Sequence, residues 1–193
     1  MKHHLIYVPG LGDRFSYGQD IAINFWRFYG FSPHYLALKW RKNDGMEVKL
    51  DKIFSKIDEL SRNGSKVSLV GASAGASAVL NAYAKRKSLT SVIYICGKIN
   101  RPEAVGTQIY QVNPDFKRSL AVLKGNVDSL SAAELSKILN LHPVTDQTVA
   151  PADTQIAGVT EQIVPGRTHA TGIFAGIIFG APKIAKFIRS LEA

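Results

Sequence analysis

Apolar positions along this chain switch between two patterns. Leu5-Ile6-Tyr7-Val8, Val67-Ser68-Leu69-Val70 and Ser91 to Cys96 are short, β-branched or aromatic runs, and they predict buried strands. His34 to Leu38, Ile138 to His142 and Glu161 to Val164 predict three more. Helical spacing fills the gaps. Asp20 to Phe28 predicts an amphipathic helix, with Ile21, Phe25 and Phe28 along one side, Trp26 nearby and Gly30 as its stop. Met46 to Arg62 predicts a second helix. Val48, Ile53, Ile57 and Leu60 face the core there, and Lys49, Lys52, Lys56 and Glu59 face water. Alanine-rich Gly75 to Lys85 predicts a third. Ser131 to Ser136 opens with the capping pattern Ser-Ala-Ala-Glu, and Pro182 to Leu191 carries Ile184, Phe187, Ile188 and Leu191 inward. Gly97 to Leu123 holds Pro102, Gly106 and Pro114 and reads as irregular, with one or two short helices over the sheet edge. Strand and helix therefore alternate, which predicts an α/β fold with a parallel sheet covered on both faces. No repeat, linker or low-complexity stretch divides residues 1–193, so a single domain is expected.

Composition changes this picture little. Charged residues make up 20%, an ordinary share for a soluble globular domain. The formal charge of +9 favours anionic partners. The basic clusters Lys39-Arg41-Lys42 and Lys85-Arg86-Lys87 are short and lack interleaved aromatics, so no nucleic-acid partner is expected. The first apolar run is too short for a signal peptide, and no segment reaches the length of a membrane span. Cys96 is the lone cysteine and lies within a strand pattern, which fits a cytoplasmic protein with no intrachain disulfide.

Chemistry concentrates at Gly71-Ala72-Ser73-Ala74-Gly75. The pattern G-x-S-x-G, between a buried strand and a small-residue helix, lifts a serine out of the fold at the strand's carboxyl end. Its glycines let strand and helix pass closely. A serine hydroxyl is a weak nucleophile and needs a base, which in turn needs an acid to hold its tautomer. His169 lies just past the last predicted strand, and Asp146 just past the one before it. Both follow Ser73 in the order that this architecture uses. Asp153, seven residues later in the same loop, is the rival acid. His3 and His4 lie at the wrong end of the first strand, His34 precedes the second, and His142 is expected to be structural. An oxyanion formed at Ser73 needs two donors. The backbone N–H of Ala74 is one, and that of Leu11, in the loop Pro9-Gly10-Leu11-Gly12, is the other. Gly10 lets this loop approach the substrate.

With these motifs the chain resembles the α/β-hydrolase superfamily over nearly its whole length. The resemblance rests on Pro9 to Gly12, Gly71 to Gly75, Asp146-Gln147-Thr148-Val149 and His169. It implies an acyl-serine intermediate hydrolysed by water, with neither metal nor organic cofactor. It also implies a minimal version of the fold, with about six mostly parallel strands, helices on both faces and no large cap. Two departures stand out. Pro9 occupies a position where many lipases and esterases have histidine, and Leu5 to Val8 looks like the family's third strand, with the first hairpin missing.

The resulting expectation is a small carboxylesterase acting on a small-molecule ester. A lipase or thioesterase with the same triad is the alternative, as is a binding protein that keeps the fold without turnover. Arg14 and Arg167 flank the proposed loops and are expected to favour anionic acyl groups.

Overall fold

A computed structural model of the chain describes residues 2–192. Its strands are β1 (His3–Val8), β2 (Phe31–Tyr35), β3 (Lys66–Ala72), β4 (Val92–Ile95), β5 (Ile138–His142) and β6 (Thr160–Ile163). They form one sheet in the order β2-β1-β3-β4-β5-β6, with every neighbouring pair parallel. Strand side chains alternate between faces, and both faces are apolar. Ile6, Val8, Leu69, Val92, Tyr94 and Ile138 belong to one cluster, and Leu5, Tyr7, Val70, Ile93, Ile95 and Leu139 to the other. A sheet buried on both sides needs a helix layer on each.

The first layer holds α2 (Met46–Ser61), α3 (Ala74–Lys85) and α5 (Pro114–Asp128), with α4 (Thr107–Val112) packed against α5. The second holds α1 (Gln19–Ala22), which runs on as a 3₁₀ helix over Ile23–Tyr29, together with α7 (His169–Ile178) and α8 (Ala181–Ser190). Trp26 joins this layer internally, its buried Nε1 donating to the carbonyl of Ile177 at 2.8 Å. The short α6 (Ala132–Leu135) begins with the expected capping box of Ser131 and Glu134. No single helix among the described residues is long and apolar enough to cross a membrane.

Several elements depart from the sequence-based expectation. The stripe Ile21, Phe25, Phe28 does not enter the core, since Ile21 is 74% and Phe28 83% exposed. Only Gln19–Ala22 is α-helical there. In the 3₁₀ continuation, residues three apart eclipse, so Ile23 and Trp26 turn inward instead. The second strand starts at Phe31, directly after Gly30, rather than at His34. Pro33 is accommodated because β2 is an edge strand, where a missing N–H is tolerated. In α2, Val48 is exposed and Lys49 is fully buried, its Nζ 2.8 Å from Asp115 and 2.5 Å from Asp44. Gly97 to Leu123 is less irregular than expected. Pro114 starts α5, at a position where its missing N–H costs nothing, and Phe116, Leu120 and Leu123 bury one helix face.

Candidate active site

The chain leaves β1 for β2 on one side and returns to β3 on the other. The loops following β1 and β3 therefore diverge at the carboxyl edge of the sheet and leave a crevice, the usual place for a site in open α/β sheets. Ser73 stands there, between β3 and α3. Its backbone has φ 52 and ψ −120, a strained left-handed region for a non-glycine residue. Close packing enforces that turn. A Cβ at Gly71 would lie 2.5 Å from the carbonyl oxygen of Gly75, and one at Gly75 would lie 2.1 Å from that of Val8. The loop after β1 also comes close, because a Cβ at Gly10 would lie 2.8 Å from Ser73 Cβ. That loop is braced. Trp40 Nε1 donates to the carbonyl of Pro9 at 3.2 Å, and the Asp13 carboxylate accepts from the amides of Lys39 and Trp40.

His169 and Asp146 converge on Ser73. His169 Nε2 is 2.8 Å from Ser73 Oγ, and His169 Nδ1 is 2.7 Å from Asp146 Oδ2. An ionised carboxylate can only accept, so Nδ1 carries the proton and Nε2 is left to accept from the hydroxyl. Asp146 is fixed by its own loop, since Oδ1 accepts the amides of Thr148 at 2.8 Å and Val149 at 3.0 Å. Its side chain is 1% exposed, so the link to the imidazole is shielded from water. His169 is the first residue of α7 rather than part of an extended loop. Thr168 caps the helix, accepting from the Thr171 amide, and so sets where the ring emerges. A hydroxyl–imidazole–carboxylate line of this kind can withdraw the serine proton as the oxygen attacks a carbonyl carbon.

The other expected residues are placed as follows. Ala74 opens α3, where an N–H has no intrahelical acceptor. Gly10 and Leu11 line a groove of about 270 Å³ with Phe15, Tyr17, Ser73 and His169. A smaller cavity of about 120 Å³ also reaches Ser73 and is walled by Lys98, Val105, Ile109, Phe116 and Val149. Arg14 and Arg167 are exposed and line neither space, and the Arg14 guanidinium lies over the Phe15 ring instead. Asp153 is not part of the line to His169. Its oxygens bind Lys98 Nζ and Arg101 Nε, each at 2.5 Å. Burial raises the Asp153 pKa, but these two cations outweigh it and hold the carboxyl below the usual range. His142 is buried and bonds the Pro143 carbonyl. A cavity of about 310 Å³ beside α5, lined by Arg101, Lys124 and Asp128, is not lined by Ser73, Asp146 or His169.

Sequence reasoning missed Lys98, Phe15, Tyr17, Val105 and Ile109 as site residues. Only Phe15 and Tyr17 carried a signal, as aromatics close after the Gly10 loop. Cys96, Asp146 and His169 offer metal-ligand atoms within 4.8 Å of one another. The carboxylate and imidazole already bond each other directly, however. Burial, and then the Asp146 charge, push the Cys96 thiol well up, so it keeps its proton. That set is a poor metal site.

Sheet order, the strained serine turn and the crevice together define an α/β-hydrolase fold in minimal form. Est1E from Butyrivibrio proteoclasticus has a similar structure, with TM-score 0.74, 14% identity, and 98% of this chain and 88% of that one covered. A monoacylglycerol lipase from Paleococcus ferrophilus matches with TM-score 0.65 and 16% identity, over 97% and 94% of the two chains. A pyrethroid hydrolase from Sphingobium faniae matches with TM-score 0.66 and 15% identity, over 98% of each. At such identities the likeness speaks for the fold. No protein-family model matches the sequence, and no curated protein matches it.

Proposed function

We propose that this chain is a serine hydrolase of small carboxylic esters. The observation that carries the reading is the unbroken line from Ser73 Oγ through His169 to Asp146, with links of 2.8 and 2.7 Å. The solved structures with the same fold include a lipase and a pyrethroid hydrolase, which is consistent with it.

In this reading Ser73 Oγ attacks the ester carbonyl carbon while His169 Nε2 takes the hydroxyl proton. Asp146 stabilises the resulting imidazolium. The negative charge moves to the carbonyl oxygen, which the amides of Ala74 and Leu11 hold. Collapse breaks the bond to the leaving oxygen, and that oxygen leaves with the proton from His169. Water then attacks the acyl-serine, giving one proton to His169. The carboxylic acid departs, and the proton returns to Ser73. The single cysteine, buried at position 96, fits a reducing, cytoplasmic setting.

A fluorophosphonate probe and p-nitrophenyl butyrate test the assignment. The wild type should be labelled and should turn over. Ser73→Ala should lose labelling and fall by roughly four to six orders of magnitude in kcat while remaining folded. Asp146→Asn should fall by about 10⁴ through loss of the correct tautomer, whereas Asp153→Asn should not. Full activity in Ser73→Ala would reject the proposal.

A further inference from the structure

Leu11, Ser73 and Thr148 form a wall common to the two spaces at the site. His169 borders only the larger one. That asymmetry has a chemical consequence. The leaving oxygen must receive its proton from His169 Nε2, so the leaving group has to lie on the His169 side. The acyl chain is then directed into the other space.

The smaller space sets a limit on that chain. At about 120 Å³ it is less than half the size of the groove of about 270 Å³, so it suits the shorter part of the ester. Val105, Ile109, Phe116 and Val149 make it apolar. Among the described residues Lys98 is its one charged lining residue, and its ammonium is already bonded to Asp153 at 2.5 Å. Among the described residues no unpaired cation lines it to meet a carboxylate.

The larger groove is different. Phe15 and Tyr17 are 58% and 66% exposed and stand edge to face, with centroids 5.9 Å apart. Tyr17 holds φ 49, a region sparsely used by non-glycine residues. Tyr17 stands in a turn closed by the Gln19 amide on the Ser16 carbonyl, which leaves its ring open to solvent. A flat apolar group between these rings and Ile173 would bury them.

We propose that the site divides its ester at Ser73: a short neutral acyl chain fills the Val105–Ile109 cavity, and an aromatic leaving group lies against Phe15 and Tyr17. This division rests on the hydrolase reading given above. It places substrate choice in two separate sets of residues, neither of which includes Arg14 or Arg167.

The test uses the full chain with p-nitrophenyl acetate, butyrate and octanoate, alongside fluorophosphonate labelling. The wild type should prefer acetate or butyrate over octanoate by roughly 100-fold in kcat/KM. Ile109→Ala should shrink that ratio by about tenfold or more. Tyr17→Ala should raise KM for p-nitrophenyl butyrate and leave the butyrate-to-octanoate ratio as it was. Equal use of octanoate by a labelled wild type would overturn the division alone. So would a change in chain-length ratio on Tyr17→Ala with none on Ile109→Ala. Absence of labelling and of turnover on every ester would remove the hydrolase reading and this division with it.

Discussion

Gly10 and Ser73 touch so closely that a methyl group on the glycine would sit 2.8 Å from the serine Cβ and 3.2 Å from its Oγ. The first distance is shorter than van der Waals contact allows, so the loop after β1 can pass the serine only without a side chain. Gly10→Ala forces either the loop or Ser73 to move. Displacements near 1 Å at a reacting centre cost about 100-fold in rate. We expect a kcat loss of that order on p-nitrophenyl butyrate, with a melting temperature close to wild type. An unchanged kcat would show that the loop can yield without disturbing Ser73.

Lys49 and Asp115 form an ion pair in which both side chains are fully buried. Asp115 keeps Arg118 and the Gly45 amide as further partners. Lys49→Ala leaves two carboxylates without their shared cation, and we expect a loss of about 3 kcal/mol in urea unfolding. An acid arm follows from the same cluster. Bonding to Lys49 holds the Asp44 carboxyl down at about 2, against an ordinary 3.8. Asp115 is lowered too, its bonds to Lys49 and Arg118 outweighing burial. Depressed carboxyls contribute stability above their unfolded pKa and lose it as pH falls through the folded one. Wild-type stability should therefore drop between about pH 4 and pH 2, and Lys49→Ala should show a shallower drop. Equal slopes would argue against the pairing.

Between β1 and the edge strand β2, His4 Nδ1 lies 2.8 Å from His34 Nε2. Burial, and then the charge of His4, bring His34 down to about 4, while burial and then Lys2 lower His4. Lys56 adds to both shifts, and Glu59 opposes the one at His34. Between pH 6.5 and about 4, the unfolded chain binds protons that the folded chain refuses. Stability contributed above pH 6.5 should thus be lost as pH falls through that window, lowering the melting temperature by roughly 5 °C. His34→Gln should flatten this dependence. A melting temperature that stays level from pH 7 to pH 4.5 in the wild type would contradict it.

How far the sequence carries is visible in particular residues. Val67-Ser68-Leu69-Val70 followed by Gly71 to Gly75 states its own geometry, because small residues and a β-branched run permit one local arrangement. The capping box at Ser131 is legible for the same reason, as bonding between neighbours in the chain. The start of α5 was also written there, as Asn113-Pro114-Asp115 ahead of apolar residues at positions 116, 120 and 123. Its proline reads as a breaker unless it is recognised as a first helical residue.

Other features depend on partners remote in sequence. Lys49 looks like a solvated lysine until α5 brings Asp115 beneath it. The stripe Ile21, Phe25, Phe28 looks like a core face until the helix tightens to 3₁₀ and Trp26 finds the carbonyl of Ile177. On sequence Asp146, just past a strand, is the preferred acid and Asp153 its rival. Tertiary contacts separate them: Lys98 and Arg101 claim Asp153, while the ring at the start of α7 meets Asp146.

The sequence alone thus determined the alternation of strands and helices, the serine turn, and the residue types able to act on it, since each is dictated by neighbours along the chain. Tertiary structure alone decided which carboxylate meets His169, which lysine is buried, and how two unequal cavities share Ser73. Those outcomes depend on distances between residues remote in the chain, 96 positions apart in the case of Ser73 and His169, and packing sets such distances where local preference cannot.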